Sequence, residues 1–189
     1  KAQRFVPDLA VGHSAGAAIL AQALLHDGLR AGALVALNGA FLPFGGVAAP
    51  LLSPLARLLY LVPGVPGLFS SRAADPAVVR RLVEGTGSTL DDEGLALYGR
   101  LMRTPSHTRA ALAMMAHWDL APLLRALPGL PCPLHLVVGG NDRAVAPSQA
   151  GRVAARVPGA TLQRLPGLGH LAHEEAPARV AALLRARLP

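Results

Sequence analysis

The chain has 189 residues, of which 52% are hydrophobic and 15% charged. This size buries on the order of 70% of the unfolded surface, and the composition excludes a disordered chain. The net charge is +7, but the basic residues other than Lys1 are all arginines scattered along the chain. Without a basic run, and with only 4% aromatic residues, nucleic-acid binding is excluded, while a basic surface still attracts anionic partners. The single cysteine, Cys132, rules out an internal disulfide framework and fits a reducing cytoplasm. Pro, Gly or Arg interrupts every apolar stretch before it reaches the length of a membrane span.

In chain order, Lys1-Ala2-Gln3-Arg4 leads directly into an apolar run, Phe5–Val11, that reads as a buried strand. There is no initiator Met and no signal-peptide n-region, so the sequence predicts an incomplete chain lacking earlier strands. The run ends in Gly12-His13-Ser14-Ala15-Gly16 and passes at once into a helix predicted over Ala15–His26, with Gly28 as its stop. Strand, sharp turn and helix around G-x-S-x-G is the context of a nucleophile elbow. Gly12 and Gly16 are expected to leave room where strand and helix approach closely. A second strand, Ala33–Leu37, ends at Asn38-Gly39 and completes a parallel βαβ unit.

From Phe41 to about Trp118 the pattern changes to short helices, predicted over Pro50–Val62, Pro76–Glu84, Asp91–Arg103 and Ser106–Trp118. That is far too long for an ordinary crossover and reads as a helical cap inserted into an α/β core. The core resumes with a helix near Leu120–Leu127, a strand over Pro133–Val138, a helix near Pro147–Arg156, a strand over Ala160–Leu165 and a closing helix over Pro177–Leu188. The expected organisation is therefore core 1–40, cap 41–118 and core 119–189, on a mostly parallel sheet.

Asp142 follows the third strand and His170 lies in the loop after the fourth. Both are expected at the C-terminal edge of the sheet with Ser14, where open α/β sheets place their sites. The order Ser, Asp, His is that of the α/β-hydrolases. In those roles Ser14 attacks a carbonyl carbon, His170 relays its proton, and Asp142 fixes and stabilises the imidazole. The backbone N–H of Ala15 supplies one oxyanion donor; the other is expected in a segment preceding this chain. Asn38 follows the second strand, the alternative place for the acid, but an amide cannot carry the charge. His13 reads as a packing residue beside the catalytic groups. Met114, Met115 and Trp118 read as cap core, with Met114 and Trp118, like His13 and Asn38, retained as candidate pocket residues. The apolar stretch Leu51–Leu61 reads as core or, alternatively, as a peripheral membrane contact. His170, His173 and Glu174 lack the H-E-x-x-H spacing and an evident third ligand, so neither a metal nor a cofactor is expected.

Several segments carry a closer resemblance. Residues 11–18 (Val11-Gly12-His13-Ser14-Ala15-Gly16-Ala17-Ala18), 37–46, Gly85-Thr86-Gly87-Ser88-Thr89, 111–120 and Gly167–Glu175 resemble the magnesium-chelatase accessory proteins of bacteriochlorophyll biosynthesis, the BchO family. The resemblance implies a capped α/β-hydrolase fold in a phototrophic bacterium, a place near magnesium insertion into protoporphyrin, and an intact triad at Ser14, Asp142 and His170. Three functions follow. One is a serine hydrolase acting on an acyl or ester bond of a small molecule, including a tetrapyrrole. The second is a non-catalytic porphyrin-binding protein or partner of the magnesium-chelatase subunits. The third is an unrelated capped ester or carbon–carbon bond hydrolase.

Overall fold

A computed structural model describes residues 5–42 and 64–189. The expected helix over Pro50–Val62 and the apolar stretch Leu51–Leu61 lie outside the described residues. Four strands, β1 (Leu9–His13), β2 (Ala33–Leu37), β3 (Leu134–Gly139) and β4 (Thr161–Leu165), form a parallel sheet in the order β1-β2-β3-β4. Register pairs His13 with Leu37, Leu37 with Val137, and Gly139 with Leu165. The ends of all four strands thus finish along one edge, and the segments leaving that edge carry Ser14, Asn38, Asp142 and His170.

The interior strands explain the two apolar layers. All five residues of β2 are buried, as suits a strand covered on both faces. Its Leu34 and Ala36 face one cluster with Leu134, Leu136 and Val138 of β3. That cluster is closed by α1 (Ala15–His26), α6 (Ala121–Ala126) and α7 (Ser148–Ala154). Val35, Leu37 and Val137 face the other way, onto Ala172 and Val180; these belong to the one-turn helix α8 (Ala172–Glu175) and to α9 (Pro177–Arg185).

Between β2 and α6 lie four described helices: α2 (Val65–Arg72), α3 (Pro76–Gly85), α4 (Asp92–Met102) and α5 (Pro105–Ala116). Asp75 caps α3 by accepting the Ala77 N–H at 2.8 Å, and Asp91 caps α4 by accepting that of Gly94 at 2.8 Å. A third cluster forms here from Ala73, Val79, Val83, Leu90 and Leu95, and Leu171 enters it from the loop after β4.

The structure corrects several expectations. The first strand begins at Leu9 rather than Phe5, and Phe5 and Val6 are 81% and 49% exposed. Pro7 and Asp8 interrupt the run, so pairing starts only where Pro7 and Asp8 carbonyls accept the N–H groups of Gly32 and Ala33 at 2.9 Å. Helix α2 was not among the expected helices; its Pro66 lies in the first turn, where Pro is tolerated. Met114 and Met115 are exposed, not core. Trp118, by contrast, is partly buried against the main cluster. Among the described residues no helix is long and apolar enough to cross a membrane.

The two glycines of the elbow prove unequal. A Cβ at Gly12 would sit 2.6 Å from the backbone N and Cα of Ala17, whereas one at Gly16 meets nothing within 4 Å among the described residues. Only Gly12 is demanded by close packing of β1 on α1. Gly12→Ala is expected to destabilise the protein by about 2–3 kcal/mol through forced backbone displacement. Gly16→Ala should stay within about 1 kcal/mol of the parent. Urea denaturation midpoints of the two variants check the contrast.

Candidate functional site

Ser14 joins β1 to α1 with φ 51° and ψ −120°. Its φ lies in the left-handed range, an unfavourable conformation for a residue with a Cβ. The surroundings impose it. Ser14 N–H donates to the Leu37 carbonyl at 3.0 Å, and its own carbonyl accepts the N–H groups of Ala17 and Ala40 at 3.2 and 3.0 Å. The turn is thereby tied to the end of β2. Ala15 opens α1, so its N–H lies among those that a first helical turn leaves without an intrahelical partner.

Asp142 is 6% exposed and His170 8% exposed. Their side chains meet at 2.8 Å, His170 Nδ1–H donating to Asp142 Oδ2. The same oxygen accepts the Asn38 amide Nδ2–H at 2.6 Å. Asp142 Oδ1 accepts the backbone N–H groups of Ala144 and Val145, each at 2.8 Å. Burial alone would raise the carboxyl pKa. The bonds from His170, Val145 and Asn38 outweigh it and hold the group below its ordinary value. Asn38, the residue considered as the alternative acid, is therefore a donor to the acid. It too holds a left-handed backbone, φ 49°, and is 1% exposed.

The loops carrying the acid and the histidine are laced together. Gly140 and Asn141 N–H groups donate to the carbonyls of Leu165 and Leu168, both at 2.8 Å, and Asn141 Nδ2 reaches the Gly167 carbonyl at 3.0 Å. With β3 and β4 paired beneath them, the two side chains meet with little freedom left in either loop.

The elbow and the histidine loop are joined through His13. Its Nε2 lies 2.9 Å from the His170 carbonyl oxygen and donates to it as the Nε2–H tautomer. Its ring centroid is 4.7 Å from that of His170 and 4.4 Å from that of His173. Among the described residues no hydrogen bond joins the Ser14 hydroxyl to the His170 ring, a contact that resting sites often hold long. Met114 lines neither the cleft between α3 and α4 nor the one between α2 and α5. Trp118 packs into the core instead. No group of described residues is arranged to hold a metal ion.

Sequence reasoning missed Ser88 and Glu175, which bond the backbone on either side of His170. The available signal was the glycine-rich run Gly85–Thr89 interrupting an otherwise helical stretch.

Burial lowers the His13 pKa from 6.5 to about 4, helped by the neighbouring His170 and His173 and opposed by the bond to the His170 carbonyl and by Asp142. His173 is lowered too, chiefly by burial. A histidine lowered on folding makes the unfolded chain the better proton acceptor, so stability is full above pH 6.5 and is lost as pH falls toward 4. For His13 the loss is on the order of 3 kcal/mol. His13→Gln should lose markedly less stability than the parent over this range, as measured by chemical denaturation at the two ends.

The chain is 40% identical over 171 residues, 90% of its length, to a Rhodobacter capsulatus protein named magnesium-chelatase 30 kDa subunit, of which it spans 59%. Among solved structures it resembles an alpha/beta hydrolase fold protein from Burkholderia ambifaria, with a TM-score of 0.72 and 22% identity over 93% of this chain and 64% of that one. It also resembles a thermophilic esterase from Thermogutta terrifontis, with a TM-score of 0.71 and 20% identity over 94% and 63%. At these identities the structures speak for the fold. Residues 2–183 match the model of the alpha/beta hydrolase family, and the chain belongs to that family.

Proposed function

We propose that this chain carries the catalytic residues of a serine hydrolase that cleaves an acyl or ester bond, with Ser14 as nucleophile, His170 as general base and acid, and Asp142 as the acid that orients it. The observation that carries this reading is the buried Asp142–His170 pair at 2.8 Å, set beside a serine in a strained turn at the same sheet edge. With Nδ1–H engaged by Asp142, the imidazole offers Nε2 as its free base. Ser14 Oγ bonds to the substrate carbonyl carbon as its proton passes to His170 Nε2. The carbonyl π electrons move onto oxygen, and the Ala15 N–H donates to that oxyanion. Collapse expels the alcohol or other leaving group, which takes the proton from His170. Water, deprotonated by the same nitrogen, then releases the acid and restores Ser14. The described helices α2–α5 act as a cap over this edge and the basic surface favours an anionic substrate, including a tetrapyrrole carboxylate ester, with the protein working in the cytoplasm.

A second reading has its own support. The 40% identity to a protein named as a magnesium-chelatase subunit favours a chelatase partner whose site need not turn over. Fluorophosphonate labelling of the full-length protein separates the two, because the probe needs an activated serine but no known substrate. Labelling of the parent and its loss in Ser14→Ala is the expected result. A folded parent that stays unlabelled removes the hydrolase reading and leaves the partner reading, which binding to chelatase subunits then tests.

A further inference from the structure

The turn Thr86–Thr89, between α3 and α4, runs across both loops of the site. The Thr86 carbonyl accepts the N–H of Arg143, the residue after Asp142, at 2.9 Å. Ser88 Oγ accepts the N–H of Leu171, the residue after His170, at 2.8 Å. Glu175 closes the arrangement, its Oε1 accepting the Gly169 N–H at 2.8 Å and its Oε2 the Thr89 N–H at 3.2 Å. His170 is thus held on both sides, at Gly169 by a carboxylate and at Leu171 by a hydroxyl.

The packing there leaves no slack. Gly87 takes φ +84°, and a Cβ on it would collide with the Asn141 carbonyl. One on Gly169 would collide with the Gly87 carbonyl and the Ser88 nitrogen, and one on Gly139 with the Gly169 and Leu168 carbonyls. Three backbones stack directly on each other where only glycine fits. Ser88 is 1% exposed, so its removal leaves the Leu171 N–H without its acceptor and without ready access to water.

We propose that Ser88 and Glu175 are positioning residues that fix the backbone around His170 so that its ring keeps Nδ1–H on Asp142 and Nε2 toward Ser14. This rests on the hydrolase reading for its effect on rate, and on geometry alone for its effect on the ring. Misplacement of a reacting group by about 1 Å costs on the order of a hundredfold in rate.

The test compares the full-length parent with Ser88→Ala, Ser88→Thr and Glu175→Gln. Two quantities are read, the second-order rate of fluorophosphonate labelling and the low-field proton NMR signal of His170 Nδ1–H. Ser88→Ala is expected to unfold cooperatively, to label about 10–100-fold more slowly, and to show that proton signal broadened or lost. Ser88→Thr, which keeps the hydroxyl, should restore both. Parent-like labelling with a sharp signal in Ser88→Ala overturns the proposal. If the parent itself does not label, the hydrolase reading falls and the proton signal decides alone: its loss in Ser88→Ala supports positioning, its persistence refutes it. Should Ser88→Ala fail to fold, the same two readings on the partly exposed Glu175→Gln decide in its place.

Discussion

Everything at the sheet edge depends on keeping one buried carboxylate charged. Asp142 is almost wholly withdrawn from water, and an isolated carboxylate there would take up a proton instead. Four donors prevent this, two of them backbone groups of its own loop and two of them side chains from separate strand ends. The four donors are placed by three different parts of the fold. Asn38 requires the left-handed residue after β2, Ala144 and Val145 require the tight turn after β3, and His170 requires the loop after β4. The charge therefore reports that all three loops are in place, and in return it draws them together.

The parallel sheet is what makes that convergence possible. Strands in register deliver their following residues to a common line, so residues more than a hundred apart in sequence meet without a dedicated scaffold. Asn38 and Asp142 are separated by 104 positions and bond at 2.6 Å. The glycines are distributed according to this demand. Gly12, Gly139 and Gly169 stand where one backbone lies against another, while Gly16 and Gly151 face open space among the described residues.

Much of this was legible in the sequence because it is local. Residues 33–37 form a continuous apolar run bounded by Gly32 and Asn38, and β2 begins and ends there. The elbow announces itself through five residues and the strand and helix on either side. Asp75-Pro76 and Asp91-Asp92 mark helix starts by capping chemistry that needs no distant partner. What was not legible depends on distant partners. Nothing near Ser88 indicates that it bonds the N–H of Leu171, 83 residues away, and nothing near Met114 tells that its side of α5 faces solvent. Phe5 and Val6 are as apolar as the strand that follows, but the strand begins only where β2 offers donors. Pro66 and Gly67, each a breaker by propensity, sit inside the first turn of α2, where the missing N–H of Pro costs nothing.

The three neighbouring imidazoles, tilted about His13, bear on where positive charge can rest. His13 and His173 are both poor bases in place, each kept neutral mainly by burial and further discouraged by the charge of a neighbouring ring. They therefore add no positive charge on that side of His170, while the carboxylate on its other side stays ionised through four hydrogen bonds. The two lowered rings stay neutral beside the imidazole that Asp142 holds.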